Sequence, residues 1–107
     1  MIILRAIEPP DETEARELIL AGLEEHWGFR DPSKNPDLVD LCRSYAGATF
    51  LVACDGDRIV GTGALKPGAG TNKVAEIVRM SVAADRRRQG IGRMILRELL
   101  RVARERG

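Results

Sequence analysis

The residues whose types and spacing could do chemistry lie in one segment, Val82-Ala83-Ala84-Asp85-Arg86-Arg87-Arg88-Gln89-Gly90-Ile91-Gly92-Arg93. A strand-like run stops, basic residues follow, and two glycines one residue apart open a helix. The first amides of a helix have no intrahelical acceptor, and the helix dipole favours negative charge there. Glycine at positions 90 and 92 lets an anion reach the backbone with no Cβ in the way. Arg87, Arg88 and Arg93 add positive charge close by. The pattern is an anion cradle, and a pyrophosphate is its natural guest. Two familiar pyrophosphate loops do not fit. A Walker loop needs Gly-Lys-Ser/Thr, whereas Gly92 is followed by Arg93-Met94; a dinucleotide fingerprint needs a third glycine where Ile95 stands and belongs near the first strand of its unit.

The elements that must position this cradle follow from periodicity and punctuation. Ile2 to Ile7 reads as a strand ended by Pro9-Pro10. Asp11 has the chemistry of a helix cap, with Glu14 as its reciprocal capping-box partner. Ala15, Leu18, Ile19, Gly22, Leu23 and His26 recur at helical spacing and give that helix one inward face. Gly28 and the stretch from Asp31 to Pro36 break it. A shorter helix is expected over 37–45, with Leu38, Leu41 and Cys42 inward. Ala48 to Cys54 and Arg58 to Lys66 are strands joined at Asp55-Gly56-Asp57, a hairpin turn signal. Gly61 and Gly63 predict a bulge or close approach by a neighbour. After a Gly-rich loop over 67–72, a strand is expected over 73–83. A helix follows from about Gly90 to Arg106, with Ile91, Ile95, Leu99 and Val102 buried and Met94, Leu96, Leu100 and Ala103 widening the stripe. The order predicts an α/β fold: a mixed, mainly antiparallel twisted sheet of about four strands with helices on both faces.

The chain has 107 residues, enough for one domain with one core, so 1–107 is read as a single domain. Apolar runs of a handful of residues are too short to span a bilayer, and no signal peptide is seen, so a cytoplasmic location is expected. Cys42 and Cys54 are too few for a disulfide framework or a zinc site, and no metal is expected. Net charge is +1, yet residues 1–40 carry 4 basic against 10 acidic side chains and residues 86–107 carry 8 against 2. An acidic front and a basic tail direct an anionic ligand to the C-terminal part.

Arg87-Arg88-Gln89-Gly90-Ile91-Gly92 fits every defined position of Arg/Gln-x-x-Gly-x-Gly/Ala, and the chain resembles the GNAT superfamily of N-acetyltransferases, whose acetyl-CoA motif this is. Val82 and Asp85 stand where that family has a Val-x-Pro-Glu lead-in, with Ala84 in place of the proline and Arg86 in place of a common aromatic. Asp55-Gly56-Asp57-Arg58-Ile59-Val60-Gly61 resembles the family's hairpin, in which Ile-Val-Gly follows the turn. The resemblance runs through essentially all of 1–107, in the right order of elements.

The resemblance implies acetyl-CoA as cosubstrate, its pyrophosphate on the backbone of Arg87, Arg88, Gln89, Gly90, Ile91, Gly92 and Arg93. The backbone around Ser81, at Met80 and Val82, would pair with the pantetheine arm like an added strand, beside a bulge that opens the slot. An N–H there, that of Met80, would polarise the acetyl carbonyl. Glu76, eleven residues before Arg87, has the spacing of the catalytic glutamate in histone-acetylating members. Plain strand alternation would place it with Val74, Val78, Met80 and Val82, an apolar setting that suits a proton acceptor; the bland alternative is a glutamate paired with Arg79 or Lys73. His26, Trp27, Phe29 and Arg30 fall where members line the acceptor pocket, or else anchor a loop. The acceptor would be a small-molecule or peptide primary amine.

Other readings stay open. The chain could bind CoA or acyl-CoA without turnover, because the family's tyrosine acid falls beyond this chain and Tyr45 is upstream. The stripe Arg93, Arg97, Arg101 and Arg104 could face nucleic acid, but aromatics are not interleaved and Glu98 and Glu105 interrupt it, so no nucleic-acid partner is expected. A crossover helix should feed a further strand, so the chain is expected to be incomplete at its C-terminus. That leaves the strand of Glu76 with an exposed edge, where a second copy could pair as a homodimer.

Overall fold

The computed structural model describes residues 1–28, 40–67 and 75–106. Four strands, β1 (Ile2–Ala6), β2 (Thr49–Asp55), β3 (Arg58–Pro67) and β4 (Ala75–Val82), form one sheet in the order β1-β2-β3-β4. All three pairings are antiparallel, so the mainly antiparallel sheet expected from the sequence is wholly so among the described strands. Helices α1 (Glu12–Trp27) and α2 (Leu41–Ser44) cover one face and α3 (Ile91–Arg106) the other.

Two-sided burial follows from strand alternation. Phe50, Val52 and Cys54 of β2 point into the core beneath α1 and α2, with Ala15, Ile19, Leu20 and Leu41. Leu51 and Ala53 point the other way, into the core beneath α3, with Val60, Leu65, Ile91, Ile95 and Leu99. Ile91, Ile95 and Leu99 recur every four residues and are fully or almost fully buried, each side chain contributing roughly 1.5–3 kcal/mol. Met94, Leu96 and Leu100, expected to widen this stripe, are instead 38–41% exposed. They sit on the flanks of the helix, beyond the width of the sheet surface that Ile95 and Leu99 already fill.

The hairpin turn is as expected: Gly56, at φ +62°, leads a two-residue loop between β2 and β3. The start of α1 is not. A 3-10 turn, Pro9–Asp11, precedes the helix. Asp11 accepts the Glu8 amide at 2.8 Å and a two-armed bond from Arg5 at 2.6 and 2.8 Å. Glu14 accepts the Ile59 amide of β3 at 2.7 Å. Both acids of the expected capping box thus bond to groups outside α1. Gly28 ends the helix at φ +83° with its N–H on the Glu24 carbonyl. His26, expected inward, is exposed, while Leu20 is buried. The second helix is capped by Asp40, which accepts the Arg43 amide at 3.2 Å; the earlier start expected at 37, with Leu38, lies outside the described residues.

Tyr45 packs edge-on against Phe50, centroids 5.1 Å apart, in the core. The buried Cys54 and half-buried Cys42 are unpaired thiols whose pKa values are raised, chiefly by burial, which suits inert packing. No described helix is long and apolar enough to cross a membrane.

Candidate active site

β4 is the last of the described strands in the sheet, and its pairing with β3 is interrupted by a bulge. Thr62 of β3 faces Ser81, but Ala64 faces Val78, so two steps on β3 match three on β4. The extra residue lies at Arg79-Met80, and Arg79 has φ +57°, a left-handed conformation rare outside glycine. The Arg79 carbonyl accepts the hydroxyl hydrogen of fully buried Thr62 at 2.8 Å.

The bulge changes which side chains share a face. Val78 packs with the α1 core, and Ser81 lies under Gly22 of α1, where an added Cβ would be 3.1 Å from its hydroxyl. Ile77 and Val82 pack with the α3 core, and Met80 reaches toward Gly63 beside Ile95. Simple alternation, which groups Glu76 with Met80 and Val82, is therefore overturned. Glu76 shares its face with Val78 and then Ser81, on the side of α1. It is exposed rather than enclosed by apolar neighbours, stands opposite Lys66, and has no ion pair among the described residues.

Between α1 and β4 lies a cavity of about 400 Å³ lined by Ile19, Gly22, Leu23, Met80, Ser81 and Arg87, among others. A second, of about 410 Å³, opens over Arg88, Gly90, Gly92 and Arg93. Val82 and Arg87 line both, so the cleft continues into the cradle. Backbone polar groups alternate sides along a strand. Ala83 N–H bonds to the Val60 carbonyl at 2.9 Å, so the N–H and C=O of Val82 point away from β3.

The segment between β4 and α3 turns sharply into the helix. Arg88 and Gly90 are left-handed at φ +66° and +81°, and α3 follows. Met94 N–H to the Gly90 carbonyl, at 3.0 Å, is its first turn's bond, so the amides of Ile91, Gly92 and Arg93 lack intrahelical acceptors. Ile91 is anchored in the core and offers only its backbone. A Cβ on Gly92 would meet Val82 at an ordinary 3.6 Å, so packing does not demand this glycine, and its bareness leaves room in the cavity.

The arginines divide into two groups that the sequence did not separate. Arg87 donates to both oxygens of Glu25 at 2.5 and 2.7 Å, and this holds the Glu25 carboxyl below its usual range. Arg86 donates to Asp55 at 2.5 Å. Arg88 and Arg93 are exposed and have no ion pair among the described residues. On α3, Arg101 is held by Glu98 and Glu105, which breaks the basic stripe considered for nucleic acid. His26 is exposed in the last turn of α1, whereas the Trp27 side chain, Phe29 and Arg30 lie outside the described residues.

Comparison with known proteins agrees with this geometry. The sequence model of the acetyltransferase (GNAT) family matches residues 12–107. N-acetyltransferase 8 of Rattus norvegicus is 39% identical over 77 residues, 66% of this chain and 35% of that protein. The chain thus spans about a third of the length of the curated relatives it matches. A GNAT-family acetyltransferase from Staphylococcus aureus Mu50 superposes with a TM-score of 0.88 at 24% identity, over 99% of this chain and 68% of that one. One from Brucella melitensis, solved in complex with acetyl-CoA, gives 0.77 at 26% identity over 100% and 71%. The chain belongs to the GNAT family of acetyltransferases.

Proposed function

We propose that this chain binds acetyl-CoA along the cleft and transfers its acetyl group to a primary amine of a small molecule or peptide. The observation that carries the reading is the continuity of the two cavities: an amide-lined anion cradle opens, past Val82 and Arg87, onto the kinked rim of β4. The Brucella melitensis relative was solved with acetyl-CoA, and it shares this fold over the whole chain.

Bound there, acetyl-CoA supplies an acyl carbon activated by a thiolate leaving group. The amides of Ile91, Gly92 and Arg93, with the backbone of Arg87 to Gly90, hold the pyrophosphate, and Arg88 and Arg93 balance its charge. The rim groups of Met80 and Val82 take the pantetheine arm as a strand would. The Met80 N–H donates to the thioester carbonyl oxygen and stabilises negative charge as the amine nitrogen bonds to carbon. Glu76, open to solvent, takes the proton that the amine must lose, directly or through water. The C–S bond breaks, and the thiolate leaves with a proton from solvent.

A second reading is a CoA-binding module without turnover. Tyr45, packed against Phe50 in the core, takes no part in either. Calorimetry with acetyl-CoA, followed by thiol release with a panel of amines, separates the two. Binding with amine-dependent thiol release supports transfer; binding with release at background supports the module; no binding sinks both. For the base, Glu76→Gln is expected to lower kcat about 10²-fold or more and alter its pH dependence, with acetyl-CoA affinity unchanged. Unchanged activity would remove Glu76 from that role.

A further inference from the structure

Two ion pairs join the β2–β3 hairpin to the turn before the cradle, where Arg86 also borders the second cavity, and no step proposed above uses them. Asp55 and Arg58 face each other in register at the hairpin end. Asp85 and Arg86 are neighbours in the 3-10 turn Ala84–Arg86. The charges match crosswise. Arg58 donates through Nη1 and Nη2 to both oxygens of Asp85, at 2.8 and 2.7 Å. Arg86 donates through Nη1 to Asp55 at 2.5 Å, and its Nε lies 3.9 Å from Asp85. Two acids and two arginines, contributed equally by hairpin and turn, form a quartet, and the Met1 ammonium joins it 3.6 Å from Asp55.

The quartet is a weak support for the fold as a whole. Its side chains are 27–60% exposed, and ion pairs in such settings contribute little to stability. It does hold one end of a strained segment. Arg87 is extended, Arg88 is left-handed at φ +66°, Gly90 is left-handed at φ +81°, and α3 begins at Ile91. A non-glycine residue persists in that region only where its surroundings over-determine it. Downstream, buried Ile91 and Ile95 fix the chain. Upstream, the fixed points are the quartet, the Ala83–Val60 backbone bond and the Glu25–Arg87 pair.

We infer that Arg58, Asp85, Asp55 and Arg86 are positioning residues for the cradle: they pin the turn so that the amides after it are already aimed at a phosphate. The inference rests on the acetyl-CoA reading above. Ordering a loop during binding weakens affinity, and a pinned loop avoids that cost.

The test combines acetyl-CoA calorimetry with amide hydrogen exchange over 84–93 in the absence of ligand, on wild type, Asp85→Asn, Arg58→Gln, the double variant and Asp85→Glu. The single variants are expected to raise Kd about three- to tenfold and to speed exchange at 87–90, with Tm moved by less than about 2 °C. The double variant should be no worse than the poorer single, because both act through one contact. Asp85→Glu should retain affinity. Wild-type binding with unchanged Kd in the single variants overturns the inference alone. A loss of affinity matched by a proportionate loss of Tm assigns the quartet to the fold and overturns it as well. A wild type that binds no acetyl-CoA overturns the cosubstrate reading; the exchange rates, which need no ligand, then decide whether the quartet pins the turn.

Discussion

The hydroxyl of Thr62 on β3 donates to the carbonyl of Arg79 on β4 across 2.8 Å, at the one place where the two strands fall out of step. A bulge takes polar groups out of the ladder, and a buried carbonyl without a partner is costly. Thr62 supplies that partner from a fully buried position. The kink at the rim of the cleft is therefore built from both strands.

Thr62→Val keeps the shape and removes the donor. It should destabilise the chain by about 0.5–1.5 kcal/mol in urea unfolding, because the fully buried side chain loses its hydrogen bond to the Arg79 carbonyl. Acetyl-CoA binding should weaken as well, by more than Thr62→Ser weakens it. Stability equal to wild type would mean that water replaces the hydroxyl.

Gly63 lies against α3. A Cβ there would sit 2.5 Å from Ile95, 2.6 Å from Met80 and 3.2 Å from Leu99, contacts too close to absorb without movement. Gly63→Ala should cost roughly 1–3 kcal/mol through overpacking, read as a lowered Tm.

Gly22 gives opposite signs for fold and ligand. Alanine in a helix interior stabilises by roughly 0.5–1 kcal/mol over glycine. Its methyl group would stand 3.1 Å from the Ser81 hydroxyl and narrow the cleft between α1 and β4. Gly22→Ala should leave Tm unchanged or higher while acetyl-CoA Kd rises several-fold in calorimetry. A fall in Tm with Kd unchanged would show that the space serves packing instead.

Acid should unfold the chain through its paired carboxylates. Arginine hydrogen bonds hold Asp11, Asp55 and Glu25 below their usual range and Asp85 at about 2. A depressed folded pKa gives stability that is complete above the unfolded value, about 4, and lost as pH falls through the folded one. The urea midpoint should thus decline from about pH 4 toward 2. Asp85→Asn should flatten the lowest part of that decline, and an NMR titration should place the Asp85 carboxyl near 2.

Much of this was legible in the residues because it is local. Gly56 marks the hairpin, the four-residue recurrence of Ile91, Ile95 and Leu99 marks α3, and Gly90 marks where that helix begins. Gly61 and Gly63 signal a close approach or a bulge, and both occur: a Cβ on either would meet α3 within 3 Å, and β3 and β4 fall out of step between Thr62 and Ala64. The misreadings share one cause, which is that local rules assume a regular neighbour. Alternation assumes one residue per rung, and the extra residue at Arg79-Met80 moved Met80 and Val82 to the face opposite Glu76. The capping box assumes that Asp11 and Glu14 have only each other, yet Arg5 and the Ile59 amide claimed them. The Glu25–Arg87 pair joins residues 62 apart, a separation at which no spacing rule operates.

The bulge at Arg79 also bears on how the chain behaves in a crowd. A straight, unpaired edge of eight residues would present an unbroken row of donors and acceptors, a template on which foreign strands can stack into aggregates. With one residue out of step, an incoming strand that pairs correctly before Arg79 is misaligned after it, so extended stacking stalls. Whatever strand lies beside β4, the irregularity that shapes the mouth of the cleft thus also keeps it from pairing in one register along the whole of β4.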